Sequence, residues 1–442
     1  MEFSFFAPIL VDIGALTLTA TQGNFAMRIY LPAILGFVGA LTLTAAPAQA
    51  NFASCVAGLK QAAVRAGISP QLAARALDGA KPDEKVVRFS GAQPEFKTPI
   101  WDYMAFLVDE DRVRDGKQML RKYDRVLRQV EQTYGVDRHV VVAVWGVETD
   151  YGKTVGEFFL PHALANLACQ GGRRADFWRG EMIAALSLVQ GGDLELNELY
   201  GSWAGAFGQT QFIPSTYKRL AVDFDGDGRR DLVRSVPDAL GSTANYLRKS
   251  GWQPGAPWMI EVKTPSSYSG PSGRKATASM STWGARGVVR ADGKPLSGGG
   301  SAGLLLPAGP GGPGFLVFRN FNAIYSYNLA ESYALAISHL ADRLAGYPTL
   351  RTPWPTDDPG LSRAERLELQ KLLNAKGFNA GTPDGKVGPT TQAAIARAEA
   401  HYGMEQTGRA GRKIYDRLGG KGAAKSGFRM PGFLRPLTGQ KD

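Results

Sequence analysis

Glu148 is the residue whose placement in this chain most demands a chemical reason. It closes the run 140–148, Val-Val-Val-Ala-Val-Trp-Gly-Val-Glu, among the most apolar stretches of the sequence. Asp137 is suited to cap a helix there, and Tyr151-Gly152 to stop it, so the segment reads as one buried helix with Glu148 in its last turn. Burial and the negative end of the helix dipole both disfavour a carboxylate at that position, which raises its pKa and lets it hold a proton near neutral pH. A proton held in that way is what a general acid donates. A structural Glu paired with one of the many arginines is the alternative. A second signal is the run 223–231, where Asp223, Asp225 and Asp227 take positions one, three and five and Gly228 position six of an EF-hand loop. Arg229 would offer its backbone carbonyl. Position twelve, which should be a bidentate Glu, is Arg234, so the back half departs from that pattern.

The elements around these residues are mainly helical. From residue 52 to about 258, amphipathic stretches such as 111–134 and 179–189 alternate with short turns bearing Gly and Asp. Between 263 and 314 the composition shifts to Gly, Pro and Ser, with 297–301 and 307–314 as the plainest loop tracts, and this reads as an inserted loop region. Helical periodicity returns over 327–344. Residues 346–360 look like a linker, and a small second domain follows.

With 442 residues and 44% hydrophobic content, the chain can bury a sizeable core and divides into two or more folded units. A net charge of +11 suits an anionic partner, whether nucleic acid, a membrane surface or a bacterial wall polymer. No basic run with interleaved aromatics is present, which argues against nucleic acid. Arg28, the apolar stretch 29–43 and Ala48-Gln49-Ala50 form a secretory signal over 27–50, and residues 1–26 stand upstream of it as an extension. The apolar run is short for a membrane span, and Cys55 stands too far beyond it for lipidation, so the mature chain is expected to be periplasmic without a lipid anchor. An oxidising compartment allows the two cysteines, Cys55 and Cys169, to pair; two buried free thiols are the alternative. Two Cys and four scattered His assemble no zinc site.

The segment 201–217, Gly-Ser-Trp-Ala-Gly-Ala-Phe-Gly-Gln-Thr-Gln-Phe-Ile-Pro-Ser-Thr-Tyr, together with Trp145-Gly146-Val147-Glu148-Thr149, closely resembles the lytic murein transglycosylases of the membrane-bound B type. That family has a lysozyme-like helical fold, and the resemblance covers roughly 52–344. It implies that Glu148 is the sole acid/base, and that Ser202 and Gln211, with Gln209 beside them, contact substrate. Tyr246, Tyr327 and Asn328 also match active-site positions of the family, and Tyr103 and Tyr333 match more loosely. The family closes its calcium loop with a later Asp, which here would be Asp238. Glycosidases usually flank the bond with two carboxylates, whereas Asp150 lies two residues on and would face elsewhere. One carboxyl suffices if the muramoyl C6 hydroxyl attacks its own anomeric carbon, because intramolecular attack has a large effective molarity.

Residues 361–420 read Leu369-Gln370-Lys371-Leu372-Leu373, Gly377-Phe378, then residues 383–391 as Pro-Asp-Gly-Lys-Val-Gly-Pro-Thr-Thr, and they resemble the peptidoglycan-binding type 1 domain, a three-helix module. Where that family often has an aromatic and Gln, this chain has Ala398-Glu399. The expected organisation is therefore an extension (1–26), a signal peptide (27–50), a catalytic domain (51–345), a linker (346–360), a wall-binding domain (361–420) and a basic tail (421–442). The implied activity is a monomeric peptidoglycan lytic transglycosylase, with other cell-wall enzymes as candidate partners. It needs no cofactor for its chemistry, and a calcium ion would be structural. A muramidase using the same Glu148, or a wall-binding protein without catalysis, are the rival readings.

Overall fold

The computed structural model describes residues 47–90 and 98–421. The upstream extension and nearly all of the expected signal peptide and basic tail lie outside them. The fold is mainly helical, as the periodicity predicts. Its largest core runs from Val56 to Leu344 and is built around helix Arg138–Thr149, in which every residue from Val140 to Thr149 is buried. A helix apolar on all sides must be surrounded. Helices Glu110–Lys122, Asp124–Tyr134, Val236–Lys249 and Glu331–Leu344 pack around it. Among the described residues, no helix is long and apolar enough to cross a membrane.

The Gly- and Pro-rich segment holds more order than its composition suggests. The tracts 297–300 and 307–313 are loops, but they join strands of a five-stranded antiparallel sheet. Its order is Gly273–Ser279, Ser301–Leu305, Gly314–Val317, Met259–Lys263 and Val289–Arg290. The strands and the short helix Met280–Ala285 enclose a core of their own, Val262, Met280, Trp283, Val288, Ala302, Leu304 and Leu316. The strands are two to seven residues long and flanked by glycine, so no stretch is long enough to display its alternation clearly.

The C-terminal unit is a three-helix module, Arg363–Ala375, Pro389–His401 and Arg412–Arg417, around Leu369, Leu373, Ala394, Ile395 and Tyr415. Glu399 is buried here and binds the loop that follows, accepting the N–H groups of Thr407 and Gly408 and the Thr407 hydroxyl. The segment before the module is pinned: the Glu261 carboxylate accepts the N–H groups of Arg351 and Thr352, at 3.0 and 2.8 Å. Cys55 and Cys169 are joined in a disulfide that ties helix Pro47–Arg65 to the end of helix Leu160–Cys169.

Helix Glu331–Leu344 links two regions. Tyr333 near its start reaches Glu148, whereas His339 and Asp342 near its end line a cavity of about 780 Å³ beside Asp137, Trp252 and Trp258. Burial pushes His339 down to about 4 and Asp342 up to about 7, the latter while it accepts the Trp258 indole N–H at 3.0 Å. A carboxyl whose folded pKa is raised adds stability that is fully present below its unfolded pKa and is lost as pH rises through the folded value. Asp342→Asn keeps the indole acceptor and removes the titration. It is expected to raise the melting temperature at pH 8 relative to the unmutated protein, by roughly 2 to 4 kcal/mol of stability, and to leave little difference at pH 4. Equal differences at both pH values in thermal scans would refute this.

Candidate active site

Glu148 is 3% exposed and its Oε1 accepts a hydrogen bond from the Tyr333 hydroxyl. The helix that carries it begins at Asp137, whose carboxylate accepts the His139 N–H at 2.8 Å. It ends in three consecutive left-handed residues, Asp150, Tyr151 and Gly152, with φ of 52, 62 and 84°. Two of its residues, Tyr151 and Asp150, anchor that turn. Tyr151 folds back so that its ring would lie 2.6 Å from a Cβ at Gly146, which is why the helix needs glycine there, and its hydroxyl donates to the Arg112 carbonyl at 2.8 Å. Asp150 is gripped by Arg363 at 2.7 Å, with Lys153 at 3.6 Å and Arg112 at 3.7 Å. Burial pushes the Asp150 carboxyl up, but the Arg363 hydrogen bond and the nearby Arg112 and Lys153 charges outweigh it, so its pKa lies below the usual range. Asp150 is therefore a bound anion and not a proton donor.

Thr149 connects this turn to the segment 201–212. Its hydroxyl donates to the Gln209 carbonyl at 2.6 Å and accepts the Gly152 N–H at 2.9 Å. The Gln209 side chain accepts the Trp145 indole N–H at 2.9 Å and donates to the Val233 carbonyl at 3.0 Å, so it joins three segments. Ser202 is fully buried and accepts the Ala206 N–H at 3.0 Å. Gln211 has φ 53°, a costly conformation for a side-chain-bearing residue, and its amide steadies it through the Gly208 and Val155 carbonyls at 3.0 and 3.1 Å.

The predicted tyrosines form a wall behind Glu148. Tyr333 and Tyr327 are 6.3 Å apart and nearly parallel, and Tyr246 lies 4.8 Å from Tyr327. Tyr327 donates to the Thr210 carbonyl and Tyr246 to the Ser326 carbonyl, both at 2.6 Å. Burial and the Glu148 charge push Tyr327 and Tyr333 far above the ordinary phenol value, so both remain neutral donors. Tyr103 and Asn328 are buried as well, and Tyr103 is near enough to act electrostatically on Tyr333.

A cleft of about 360 Å³ opens in front of Glu148. One side is formed by residues 147–150 and 153–158 with Trp203. The other comes from the C-terminal module: Arg363, Arg366, Asp384, Gly385 and Lys386. The sequence marks 383–391 as a motif of the module but does not place any module residue in this cleft, because a pair such as Arg363–Asp150, formed across 213 residues, leaves no periodic trace.

The descriptions of two families fit the chain in the order its two units take. The family model described as the transglycosylase SLT domain matches residues 51–342, and that of the putative peptidoglycan-binding domain matches 362–418. The chain belongs to the SLT transglycosylase family. It is 35% identical over 245 residues to the membrane-bound lytic murein transglycosylase B of Escherichia coli, a match covering 55% of this chain and 66% of that protein. It resembles the crystal structure of SltB3 from Pseudomonas aeruginosa in complex with NAG-anhNAM-pentapeptide, with a TM-score of 0.66 and 42% identity over 83% of this chain and 99% of that one. The Escherichia coli lytic transglycosylase SLT35 in complex with calcium is similar at a TM-score of 0.59 and 31% identity, covering 67% of this chain and 93% of that one.

The SLT unit also carries the acidic loop. Carboxylate oxygens of Asp223, Asp225 and Asp227 lie within 4.8 Å of one another and are exposed. Asp223 also fixes the loop by accepting the N–H groups of Gly226 and Gly228 at 2.7 and 2.8 Å. Asp238 stands apart from that cluster. It is fully buried and accepts the N–H groups of Phe224, Asp225 and Asp231 at 2.7, 3.2 and 2.8 Å, so it holds the loop through its backbone. The Arg229 N–H is accepted by Asp227 at 2.8 Å.

Proposed function

We propose that this chain is an exported, periplasmic lytic transglycosylase, acting as a monomer, that cleaves the β-1,4 bond between N-acetylmuramic acid and N-acetylglucosamine, with Glu148 as its single acid/base. The observation that carries this reading is the buried Glu148 carboxyl, bonded by Tyr333 and opening on a cleft, in a chain of this family. Protonated Glu148 gives its proton to the glycosidic oxygen as the bond to the muramoyl C1 breaks. The resulting carboxylate takes the proton of the C6 hydroxyl as that oxygen attacks C1. A 1,6-anhydro end forms, Glu148 regains its proton, and no water is consumed. The Tyr333 hydroxyl donates to Oε1 and so orients the group. Relatives support the substrate class, since SltB3 was crystallised with NAG-NAM-pentapeptide and with its anhydro counterpart.

Hydrolysis is the second reading, and one residue favours it. Asp150 is held by cations and Asp384 accepts from the Gln370 amide and the Lys386 N–H, but Glu157 is exposed in the cleft and could activate water. Digestion of purified sacculi followed by mass measurement of the muropeptides decides between the two. Ends lighter by one water than the hydrolytic product are expected; reducing ends would make the protein a muramidase.

The three-Asp loop supplies hard oxygen donors at the spacing a calcium ion takes, and the calcium complex of SLT35 supports a structural ion here. Asp223, Asp225 and Asp227 would hold it, with the Arg229 carbonyl beside them; Asp238 would contribute by shaping the loop. Millimolar calcium at about ten times its dissociation constant is expected to add about 1.4 kcal/mol and a few degrees to the melting temperature, with the shift lost in Asp225→Ala. No shift in calorimetry of the unmutated protein would dismiss the site.

A further inference from the structure

We propose that the C-terminal module forms one wall of the catalytic cleft and that its Lys386 reads a carboxylate on the peptide carried by the substrate strand. This deepens the proposed function and rests on it. The module is docked at three places by arginine. Arg363 holds Asp150 at 2.7 Å, two residues from Glu148. Arg366 is buried over the Phe106 ring, 4.5 Å from its centre, while it donates to the Gly385 and Leu361 carbonyls at 2.8 and 2.7 Å. Burial lowers its pKa to about 9, so it remains charged at neutral pH. Arg409 grips Asp102 at 2.8 Å, adjacent to Tyr103. A unit tethered only to follow the wall would not place three guanidinium groups in this way.

The loop that bears Lys386 is equally fixed. Gln370 accepts the N–H groups of Asp384 and Gly385 at 2.9 and 2.7 Å and donates to the Lys386 carbonyl at 2.9 Å. One cation of the cleft differs from the others in its surroundings. Arg112, Lys153 and Arg363 converge on Asp150, and Arg366 is engaged by carbonyls. Lys386, half-buried, forms no ion pair among the described residues. A cation presented on a rigid loop into a catalytic cleft is suited to an anionic group of the substrate. In a glycan bearing peptides, the anions are carboxylates.

The test compares soluble peptide-bearing glycan strands with the same strands after carbodiimide coupling of their carboxylates to methylamine. Total strand ends released are counted, anhydro and reducing together, so the result does not depend on which product forms. The full-length unmutated protein is expected to prefer the untouched strands about fivefold in kcat/KM, the scale of a partly exposed ion pair. Lys386→Gln should bring the preference close to one, and Lys386→Arg should keep it. Only the backbone of Lys386 holds its loop, so both variants retain the fold. A Lys386→Gln protein that keeps the unmutated preference, or an unmutated protein that has none, overturns the proposal while leaving the reaction standing. No ends released by the unmutated protein from either strand overturns the functional reading and this inference with it.

Discussion

Glu148→Gln is expected to abolish release of anhydro ends from sacculi, lowering the rate by about a thousandfold or more, because general acid/base work is worth 10² to 10⁴ per role and the proposed reaction asks one group to perform two roles in turn. Gln fills the same volume and can still accept the Tyr333 hydroxyl, so its melting temperature and its binding to sacculi should remain close to those of the unmutated protein. Tyr333→Phe is a sharper probe of the geometry. It leaves the acid in place but removes the donor that orients it, and a fall of about tenfold is expected. Mass spectrometry of digests from both variants checks this. Activity retained in Glu148→Gln would move the chemistry to another carboxyl, with Glu157 next in line. Binding lost together with activity would point to misfolding instead.

The helix at the centre of that prediction was legible because every signal for it is local: an apolar run, Asp137 before it and Tyr151-Gly152 after it. The partner of Glu148 was not legible on the same terms. Tyr333 lies 185 residues further on, in a helix whose buried residues give no sign of which neighbour they meet. Only resemblance brought the two together. Asp238 shows a different limit. The resemblance names it as the residue that closes a calcium loop, and in the structure its oxygens accept three backbone N–H groups of that loop, a contact that spacing alone does not foretell. The sheet between residues 259 and 317 was hidden by glycine and proline, whose turn preferences dominate short strands. Docking of the C-terminal module was hidden more completely. Arg363, Arg366 and Arg409 are ordinary surface residues by composition, and only their partners, Asp150, Phe106 and Asp102, make them part of a cleft.

Reduction of the Cys55–Cys169 disulfide is expected to have the largest effect on stability. The bond closes a loop with a sequence separation of 114, and its Cα atoms are 5.9 Å apart. Restricting an unfolded loop of that length is worth about 4 to 5 kcal/mol in the chain-entropy model, which for a domain of this size corresponds to a fall in melting temperature on the order of 10 °C. The bond joins the first helix to the end of helix Leu160–Cys169, and neither cysteine lines the Glu148 cleft. Activity of the purified protein at low temperature should therefore survive reductant, while thermal scans shift downward and Cys55→Ser with Cys169→Ser reproduces the shift without reductant. A melting temperature indifferent to reductant would mean that the long loop is already restricted in the unfolded chain or that the thiols do not pair. The combined result also bears on location. A protein that loses this much stability when reduced works best where disulfides persist, which is the oxidising side of the membrane, on the same side as the wall.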